Sequence, residues 1–306
     1  MRDMQVQVGR GSQIFDGLAF GAAVAADGSW AVVDGRKREI IVHREGLQCR
    51  VGGRGQIATL GWNADVMAFT QDGERLGWIE TIDGTTTFVS MSKSCKDILY
   101  VALNMPTTPA VSQLIGAVDG GFVVVNRAGW AAKVEPSGDR AEVVEIPENT
   151  AIVAVRGGYL GVTPSSTGLT LVDFAPELMP RRTRVVPSIT APLITAAADD
   201  ELLIVAIYPD RPAGKASASI HAIELANGEL RWEMASQTTR GSPVSMAMTP
   251  QGLAVGYSDG RIDLVDVQDG SLTKTLEAQA EFIETLHAVD GALLARSRDG
   301  LYRVEL

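Results

Sequence analysis

The chain has 306 residues, of which 45% are hydrophobic and 21% are charged. This is the usual mixture of a soluble globular protein, so the composition excludes a wholly disordered chain. Lys and Arg number 27 against 37 Asp and Glu, a net charge of −10, and an acidic surface repels phosphate backbones and anionic lipid, which argues against nucleic acid or a membrane as the main partner.

The N-terminal segment Met4–Val8 alternates apolar and polar residues and predicts a short strand. The first eight residues contain no apolar run and no small-residue cleavage site, so no secretion signal is expected. Cys49 and Cys95 are 46 positions apart and form no C-x-x-C motif. We therefore expect no disulfide and a cytoplasmic location. The excess of Arg over Lys, with abundant Ala and Gly, is typical of a high-GC bacterium.

Tight-turn signals recur along the chain at intervals of about 44 residues. Each signal is Asp-Gly or a near equivalent, which is the punctuation of β-hairpins. This spacing falls within the range of four-stranded propeller blades, so the sequence predicts seven units. The residues at the corresponding position of each first turn are Gly28, Gly73, Gly120, Gly157, Asp200, Gly252 and Gly291.

A nearly continuous apolar run follows each first turn and ends at a second turn. These runs predict second strands that are buried on both faces. They are Trp30–Val33, Arg75–Ile79, Phe122–Val125, Tyr159–Val162, Leu202–Ala206, Leu253–Tyr257 and Ala292–Ala295. In the third strand an acidic residue follows the apolar run, as Glu224 does in Ile220–Leu225 and Asp266 in Gly260–Val267.

The segments Val265–Gly270 and Ile223–Trp232 resemble the third-strand ends of WD-repeat and quinoprotein-like propellers. The resemblance covers nearly the whole chain. It implies an all-β fold, a seven-bladed β-propeller of four-stranded antiparallel blades, in a single domain over residues 1–306. No Trp-Asp or Gly-His dipeptide is present, so the resemblance indicates the fold and says little about the partner.

The last unit ends at Leu306 after three strands. We predict that residues 4–8 pair as its outer strand and close the ring, because closure leaves only short outer edges. A last blade built from two N-terminal and two C-terminal strands, or from C-terminal strands alone, is the alternative.

Two segments allow more than one interpretation. Ile98–Val118 carries no charge over 21 residues, but it contains two prolines, so strand, linker and strand is favoured over a membrane span. Between Thr275 and Val289 apolar residues recur at helical spacing, yet Phe282–Val289 also alternates as a strand does. The strand is favoured because the unit needs a first strand there.

The segment Gly53–Ala58 matches the G-x-G-x-x-A dinucleotide fingerprint. That motif requires a helix to begin at its third position, and Thr59–Asn63 is no helix, so we interpret it as a linker. His43, His221 and His287 lie in different repeats without Cys neighbours. We therefore assign no catalytic residue, no cofactor and no metal ligand.

The propellers that the chain resembles include metal-assisted lactonases and lyases, with ligands around the central channel. Their counterparts here would be the aspartates that begin four second turns, on one rim of the ring. Because Asp-Gly is also the preferred hairpin turn, turn formation explains these residues without a metal. They are Asp34, Asp83, Asp259 and Asp299.

The largest departure from a minimal turn is Tyr208–Ser217. Its two prolines limit the entropy lost on docking, and Tyr with Arg is a hot-spot combination, although a tolerated insertion would look the same. Trp62, Trp130 and Tyr257 lie near the same rim, and they are either contact residues or part of the apolar core. The predicted partner-binding residues are Tyr208, Asp210, Arg211, Lys215, Trp62, Trp130 and Tyr257.

The sequence thus predicts a non-catalytic protein–protein interaction scaffold or recognition subunit, either a monomer or part of a hetero-complex, whose partner is a protein. The alternative is a lactonase-like, metal-dependent hydrolase or lyase with a divalent ion in the central channel.

Overall fold

The structure, a computed structural model, describes residues 9–44, 47–57, 67–103, 111–135, 137, 140–187, 189–190, 192–208, 218–235 and 241–306. These residues form seven sheets, here called blades 1 to 7. All elements assigned to them are strands, and no helix among them is long and apolar enough to cross a bilayer. The chain divides into a four-blade unit, Leu18–Thr190, and a three-blade unit, Met1–Gly17 with Ala191–Leu306.

The four-blade unit contains blades 1 to 4, which follow two N-terminal strands that belong to the other unit. The N-terminal strands are β1 (Gly9–Arg10) and β2 (Ser12–Asp16). Blade 1 comprises β3 (Ala19–Val24), β4 (Trp30–Asp34), β5 (Glu39–Arg44) and β6 (Leu47–Gly52). Blade 2 comprises β7 (Gln56–Ile57) and β8 (Met67–Phe69), which share the first position, then β9 (Arg75–Ile82), β10 (Thr85–Ser92) and β11 (Ile98–Ala102).

Blades 3 and 4 complete this unit. Blade 3 comprises β12 (Val111–Gly116), β13 (Phe122–Asn126), β14 (Trp130–Val134) and β15 (Ala141–Glu145). Blade 4 comprises β16 (Ala151–Val155), β17 (Gly158–Ser165), β18 (Gly168–Phe174) and β19 (Pro180–Val186). The predicted division of Ile98–Val118 into two strands is confirmed by β11 and β12.

The three-blade unit contains blades 5 to 7. Blade 5 comprises β20 (Leu193–Ala198), β21 (Leu202–Ile207), β22 (Ser219–Glu224) and β23 (Leu230–Ala235). Blade 6 comprises β24 (Pro243–Thr249), β25 (Gly252–Tyr257), β26 (Arg261–Val265) and β27 (Leu272–Glu277). Blade 7 comprises β28 (Thr285–Val289), β29 (Ala292–Ser297) and β30 (Gly300–Glu305). The strand interpretation of the segment before Val289 is confirmed, although β28 begins at Thr285.

The predicted strand pattern is confirmed in all seven blades, and the second turn predicted around Gly214 in blade 5 lies outside the described residues. The six glycines predicted in first turns have φ values between 65° and 127°, the region that glycine enters without steric cost. The predicted second strands are almost completely buried, and every residue of β4, β13, β21 and β29 is buried. Such burial on both faces explains why these strands lack the alternating pattern of a half-exposed sheet.

The N-terminal strand completes blade 7, as predicted. Strand β2 pairs antiparallel with β30, with Ser12 opposite Arg303 and Asp16 opposite Gly300. Strand β1 lies parallel to β27 of blade 6. Gly11 connects β1 to β2, and a Cβ at this position would meet the Ala278 carbonyl oxygen at 2.9 Å. The close approach of the two backbones at this connection therefore requires glycine. The segment 4–8, which we predicted for the fourth-strand position, lies outside the described residues; Ser12–Asp16 takes that position.

The apolar core of each unit lies between neighbouring blades. In the four-blade unit, Trp78 and Leu76 of blade 2 pack with Val33 and Val42 of blade 1. Phe88 of blade 2 contacts Phe122 of blade 3 with ring centroids 4.9 Å apart. Clusters of the same kind join blades 5 and 6 and blades 6 and 7. Each fully buried side chain of this size contributes about 1.5 to 3 kcal/mol to folding.

The expectation that the cysteines do not pair is wrong. Cys49 in β6 and Cys95 in the turn after β10 form a disulfide, with Cα atoms 6.7 Å apart. The bond joins blade 1 to blade 2, and both residues pack against the core between these blades. The cysteines therefore do not indicate a reducing compartment, and a cytoplasmic location stays a prediction without their support.

Candidate functional site

A polar cavity of about 550 Å³ lies in the four-blade unit, where the first turns of blades 2 and 3 meet the turn between β10 and β11. We call it the first-turn cavity. Its lining combines both charges with hydroxyl groups, so it offers donors and acceptors to a polar ligand. The lining residues are Thr70, Asp72, Glu74, Arg75, Ser92, Lys93, Ser94, Asp119 and Gly120.

One wall of the cavity is the first turn of blade 2, which side chains hold in shape. Asp72 Oδ1 accepts hydrogen bonds from the Thr70 hydroxyl at 2.6 Å and from the Glu74 N–H at 3.0 Å. The Thr70 Oγ1 in turn accepts from the Arg75 N–H at 3.0 Å. Asp and Thr are common in turns because their short side chains bond to nearby backbone groups. This network fixes the backbone on which Glu74 and Arg75 stand.

The hydroxyl of Thr70 and the N–H of Glu74 lower the pKa of Asp72 below its usual value. A carboxylate with a lowered folded-state pKa stabilises the protein above the unfolded pKa, and the contribution is lost as pH falls through the folded pKa. We expect Thr70→Val to raise the pKa of Asp72, and Thr70→Ser, which keeps the hydroxyl, to leave it low. Carboxyl ¹³C NMR titration measures both.

The matched control is Asp269, whose pKa is lowered by the side-chain and backbone bonds of Ser271 in blade 6. It should titrate alike in all three proteins. An Asp72 that titrates at the same pH with valine as with threonine would show that the hydroxyl bond does not form.

The turn between β10 and β11 forms a second wall of the cavity, and the side chain of Lys93 extends from it to the first turn of blade 2. Its ammonium lies 3.1 Å from a carboxylate oxygen of Glu74 and 3.9 Å from one of Asp27. Its backbone N–H also donates to the Glu74 carbonyl at 2.7 Å. All three side chains are about half exposed, and such ion pairs contribute little to stability. Their effect is to hold charges of both signs at the cavity mouth.

Two guanidinium groups lie behind the first turn of blade 2. Arg44 is 5% exposed, donates from Nη2 to the Gly73 carbonyl at 3.1 Å and stacks on Phe69. Burial lowers the pKa of Arg44, while the charges of Asp27 and Glu74 act in the opposite direction. Arg75 donates from Nη2 to Ser90 Oγ at 2.9 Å. The Nε of each, and Nη1 of Arg44, find no acceptor among the described residues.

The cavity was not predicted. Sequence analysis placed recognition at the second turns, whereas the cavity is formed by first turns and by the turn between β10 and β11. The Asp-Gly signals located each of these turns separately. Which turns lie side by side depends on how the blades pack, and a single repeat does not contain that information.

The structure places three of the seven predicted partner-binding residues. Tyr208 is 49% exposed at the end of β21, and its N–H donates to the Pro192 carbonyl at 3.0 Å. Trp130 is half-buried at the start of β14. Tyr257 is 2% exposed, with the Arg261 guanidinium 4.0 Å from its ring centroid. Trp62, Asp210, Arg211 and Lys215 lie outside the described residues, and the contact role of all seven stays a prediction.

Of the four second-turn aspartates weighed as metal ligands, Asp34 and Asp259 take part in turn formation. Asp34 Oδ1 accepts from the backbone N–H groups of Arg36 and Lys37, and Asp259 Oδ1 accepts from that of Arg261. Asp299 accepts from the Tyr302 hydroxyl at 2.8 Å. In the part of the chain that the structure describes, no three His, Cys, Asp or Glu side chains are placed to hold a metal ion.

The G-x-G-x-x-A segment begins as a linker, as interpreted from sequence, but its fourth and fifth residues, Gln56 and Ile57, form strand β7 of blade 2. The backbone N–H groups of Arg54 and Gly55 donate to Glu80 Oε2 at 3.0 and 2.9 Å. In a dinucleotide site such amides hold pyrophosphate. In this protein a buried carboxylate of the chain itself occupies them.

Comparison with solved structures supports the architecture. The WD40 beta propeller domain of Doa1 superimposes with a TM-score of 0.68 at 14% identity, over 98% of this chain and 96% of that one. Kuenenia stuttgartiensis hydrazine synthase gives a TM-score of 0.73 at 12% identity, over 100% and 99%.

The fold is that of a seven-bladed β-propeller. The resemblance to WD-repeat-like propellers is thereby confirmed at the level of fold. No protein-family model and no curated protein sequence matches the chain. At these identities the likeness carries no activity across, so the function has to be argued from the chain's own surfaces.

Proposed function

We propose that this propeller is a non-catalytic scaffold or recognition subunit of a larger assembly, and that it binds a partner protein through the loop Tyr208–Ser217. The observation that carries the proposal is the exposed side chain of Tyr208 on a backbone held by a hydrogen bond. The WD40 domain among its structural neighbours is a propeller of similar size, and propeller surfaces are well suited to such docking because their turns vary without disturbing the blades.

The backbone of Tyr208 is held by its hydrogen bond to Pro192, so its ring projects from a fixed base while about half of its surface meets solvent. A preorganised exposed tyrosine loses little entropy on binding and supplies a large contact area. The sequence that follows adds Asp210, Arg211 and Lys215, which suits a contact with an apolar centre and a polar rim.

The test is quantitative affinity capture from a lysate of the organism that encodes the protein. Replacing Tyr208–Ser217 with Asn-Gly should lower recovery of the bound partner about tenfold or more, and Tyr208→Ala should account for much of that loss. Leu230→Ala is the matched control, since Leu230 is also exposed in blade 5. Equal recovery with the wild type and with the loop replacement would refute the proposal.

A further inference from the structure

The fourth strand of blade 4, β19, differs in charge from the fourth strands of the other blades. It contains three arginines and no acidic residue. The other fourth strands, including β2 of blade 7, carry net charges between −2 and +1. Arg184 forms an ion pair with Asp173 at 2.8 Å, while Arg181 and Arg182 are exposed. A concentrated positive charge thus stands on a protein whose net charge is −10.

Exposed apolar side chains lie on both sides of these arginines. Met179, just before β19, is 61% exposed, and Val185 within it is 51% exposed. They are the two most exposed large hydrophobic residues in the described part of the chain. Thr183 and Val185 alternate along the strand and therefore share one face, while Arg181 lies at a register shift between the pairs Asp173–Arg182 and Phe174–Pro180. The strand combines cationic and apolar contacts within seven residues.

The turn that leads into β19 is held by backbone hydrogen bonds, and the strand itself is paired along its length. Leu178 is 1% exposed, and its N–H donates to the Ala175 carbonyl at 2.9 Å. The Ala175 N–H donates to the Met179 carbonyl at 2.9 Å, which closes the turn that leads into β19. From there the strand pairs with β18 up to Val186 opposite Leu169. A partner would therefore meet a preformed surface.

In the part of the chain that the structure describes, no strand pairs with the outer edge of β19, so this edge can accept one. In its sheet it stands at the end of the order, next to β18, and such an edge presents N–H and C=O groups to any extended chain that approaches. Blade 6 shows that a fourth strand of this protein takes an additional neighbour, because β1 lies parallel against β27.

We propose that an extended acidic segment of a partner polypeptide adds to blade 4 along the edge of β19. The proposal rests on the scaffold function proposed above and names a second contact surface for it. Backbone pairing supplies the register, Arg181 and Arg182 attract carboxylates, and Met179 with Val185 receives apolar side chains. A polypeptide fits better than nucleic acid or lipid, because the edge needs both donors and acceptors and the overall negative charge repels extended polyanions.

The experiment uses the full chain and a fluorescent peptide of about eight residues in which Val and Glu alternate, the length of one strand. We expect saturable binding by fluorescence anisotropy. The double variant Arg181→Glu, Arg182→Glu should weaken it at least about tenfold. The control, Arg36→Glu with Lys37→Glu, makes the same change in net charge on an exposed turn of blade 1 and should bind like the wild type.

Backbone pairing is tested separately with two peptides N-methylated at alternate amides, on the Val or on the Glu residues. One edge of the peptide is expected to pair with β19, and methylating the amides on that edge removes its hydrogen-bond donors. At least one of the two peptides should therefore bind about tenfold more weakly than the parent peptide. Equal binding of both methylated peptides and the parent would overturn strand addition, as would no binding at up to about 1 mM peptide.

Three further arms are a Val-Lys peptide, single-stranded DNA and phosphatidylserine vesicles. Binding of any of these more tightly than the Val-Glu peptide would overturn the acidic-peptide assignment. So would self-association through β19, which sedimentation would detect as a dimer of the wild type that the arginine variant does not form. If the partner is still captured after the loop replacement, only the proposed role of Tyr208–Ser217 is contradicted. If the peptide does not bind while the partner is still captured by the wild type, only the proposed role of β19 is contradicted.

Discussion

Replacing Cys49 by Ser is expected to lower the free energy of unfolding by about 4 kcal/mol, because the disulfide closes a loop of 46 residues in the unfolded chain. Cys95→Ser should cost about the same, and the double variant no more than either single variant. Denaturant unfolding under non-reducing conditions measures the change. Added reductant should bring the wild type to the stability of the variants.

The thiol content provides an independent check of this expectation. Wild-type protein denatured without reductant should contain no titratable thiol, since the described cysteines are both paired, and reduced protein should contain two. Two thiols without reduction, together with unchanged stability of Cys49→Ser, would contradict the disulfide. Because Ser94 lines the first-turn cavity next to Cys95, the bond also ties one cavity wall to blade 1.

The cysteine pair shows what the sequence contained and what single-motif reasoning missed. A separation of 46 residues is close to the repeat interval of about 44. In a repeat protein, residues one period apart lie in neighbouring units, so the pairing was accessible from the periodicity. The absence of a C-x-x-C motif, on which the expectation of unpaired cysteines rested, does not exclude a disulfide between neighbouring repeats.

The strands were predictable because their signals are local. Apolar runs between Asp-Gly turns such as Asp72-Gly73 and Asp259-Gly260 need no knowledge of the rest of the chain. The completion of blade 7 followed from counting strands, but the choice of Ser12–Asp16 did not. That choice depends on β1 pairing with β27 and on Gly11 passing close to Ala278, contacts between segments that are far apart in sequence.

The candidate surfaces were predictable only in part. Tyr208 was identified because an unusually long turn is visible in sequence. The first-turn cavity was not, since Glu74, Lys93 and Asp119 belong to three turns that packing alone brings together. In the sequence, Arg181–Arg184 is only a short basic run, which by itself predicts no more than a solvated segment. Its importance depends on β19 being a fourth strand with a free edge, which composition does not reveal.

Glu80 is a buried carboxylate whose replacement should strongly destabilise the four-blade unit. Its side chain is 0% exposed, and besides the two backbone donors of the linker it accepts from the Trp78 indole N–H at 2.8 Å. A Cβ at Gly55 would meet the Thr81 carbonyl oxygen at 2.3 Å, so the linker packs directly on β9. The glycines of the G-x-G motif allow the backbone to reach this carboxylate.

Glu80→Ala leaves the buried indole N–H of Trp78 and the part-buried N–H groups of Arg54 and Gly55 without this acceptor. An unsatisfied buried donor costs about 1 to 3 kcal/mol, and each other lost hydrogen bond about 1 kcal/mol. We therefore expect a loss of about 3 kcal/mol or more, measured by denaturant unfolding followed by tryptophan fluorescence and circular dichroism. Glu74→Ala is the control, because the Glu74 side chain is 57% exposed and pairs with Lys93 at the surface. It should cost about 1 kcal/mol at most.

A double-mutant cycle separates the indole bond from the linker bonds. Glu80→Gln can keep an oxygen toward the amides of Arg54 and Gly55, but its NH₂ group then faces the Trp78 N–H, donor against donor. Trp78→Phe should therefore cost less in the Glu80→Gln background than in the wild type, with a coupling of about 1 kcal/mol. Additive effects would contradict the hydrogen bond between the indole and Glu80, and a Glu80→Ala variant as stable as Glu74→Ala would show that the carboxylate does not hold the linker between blades 1 and 2.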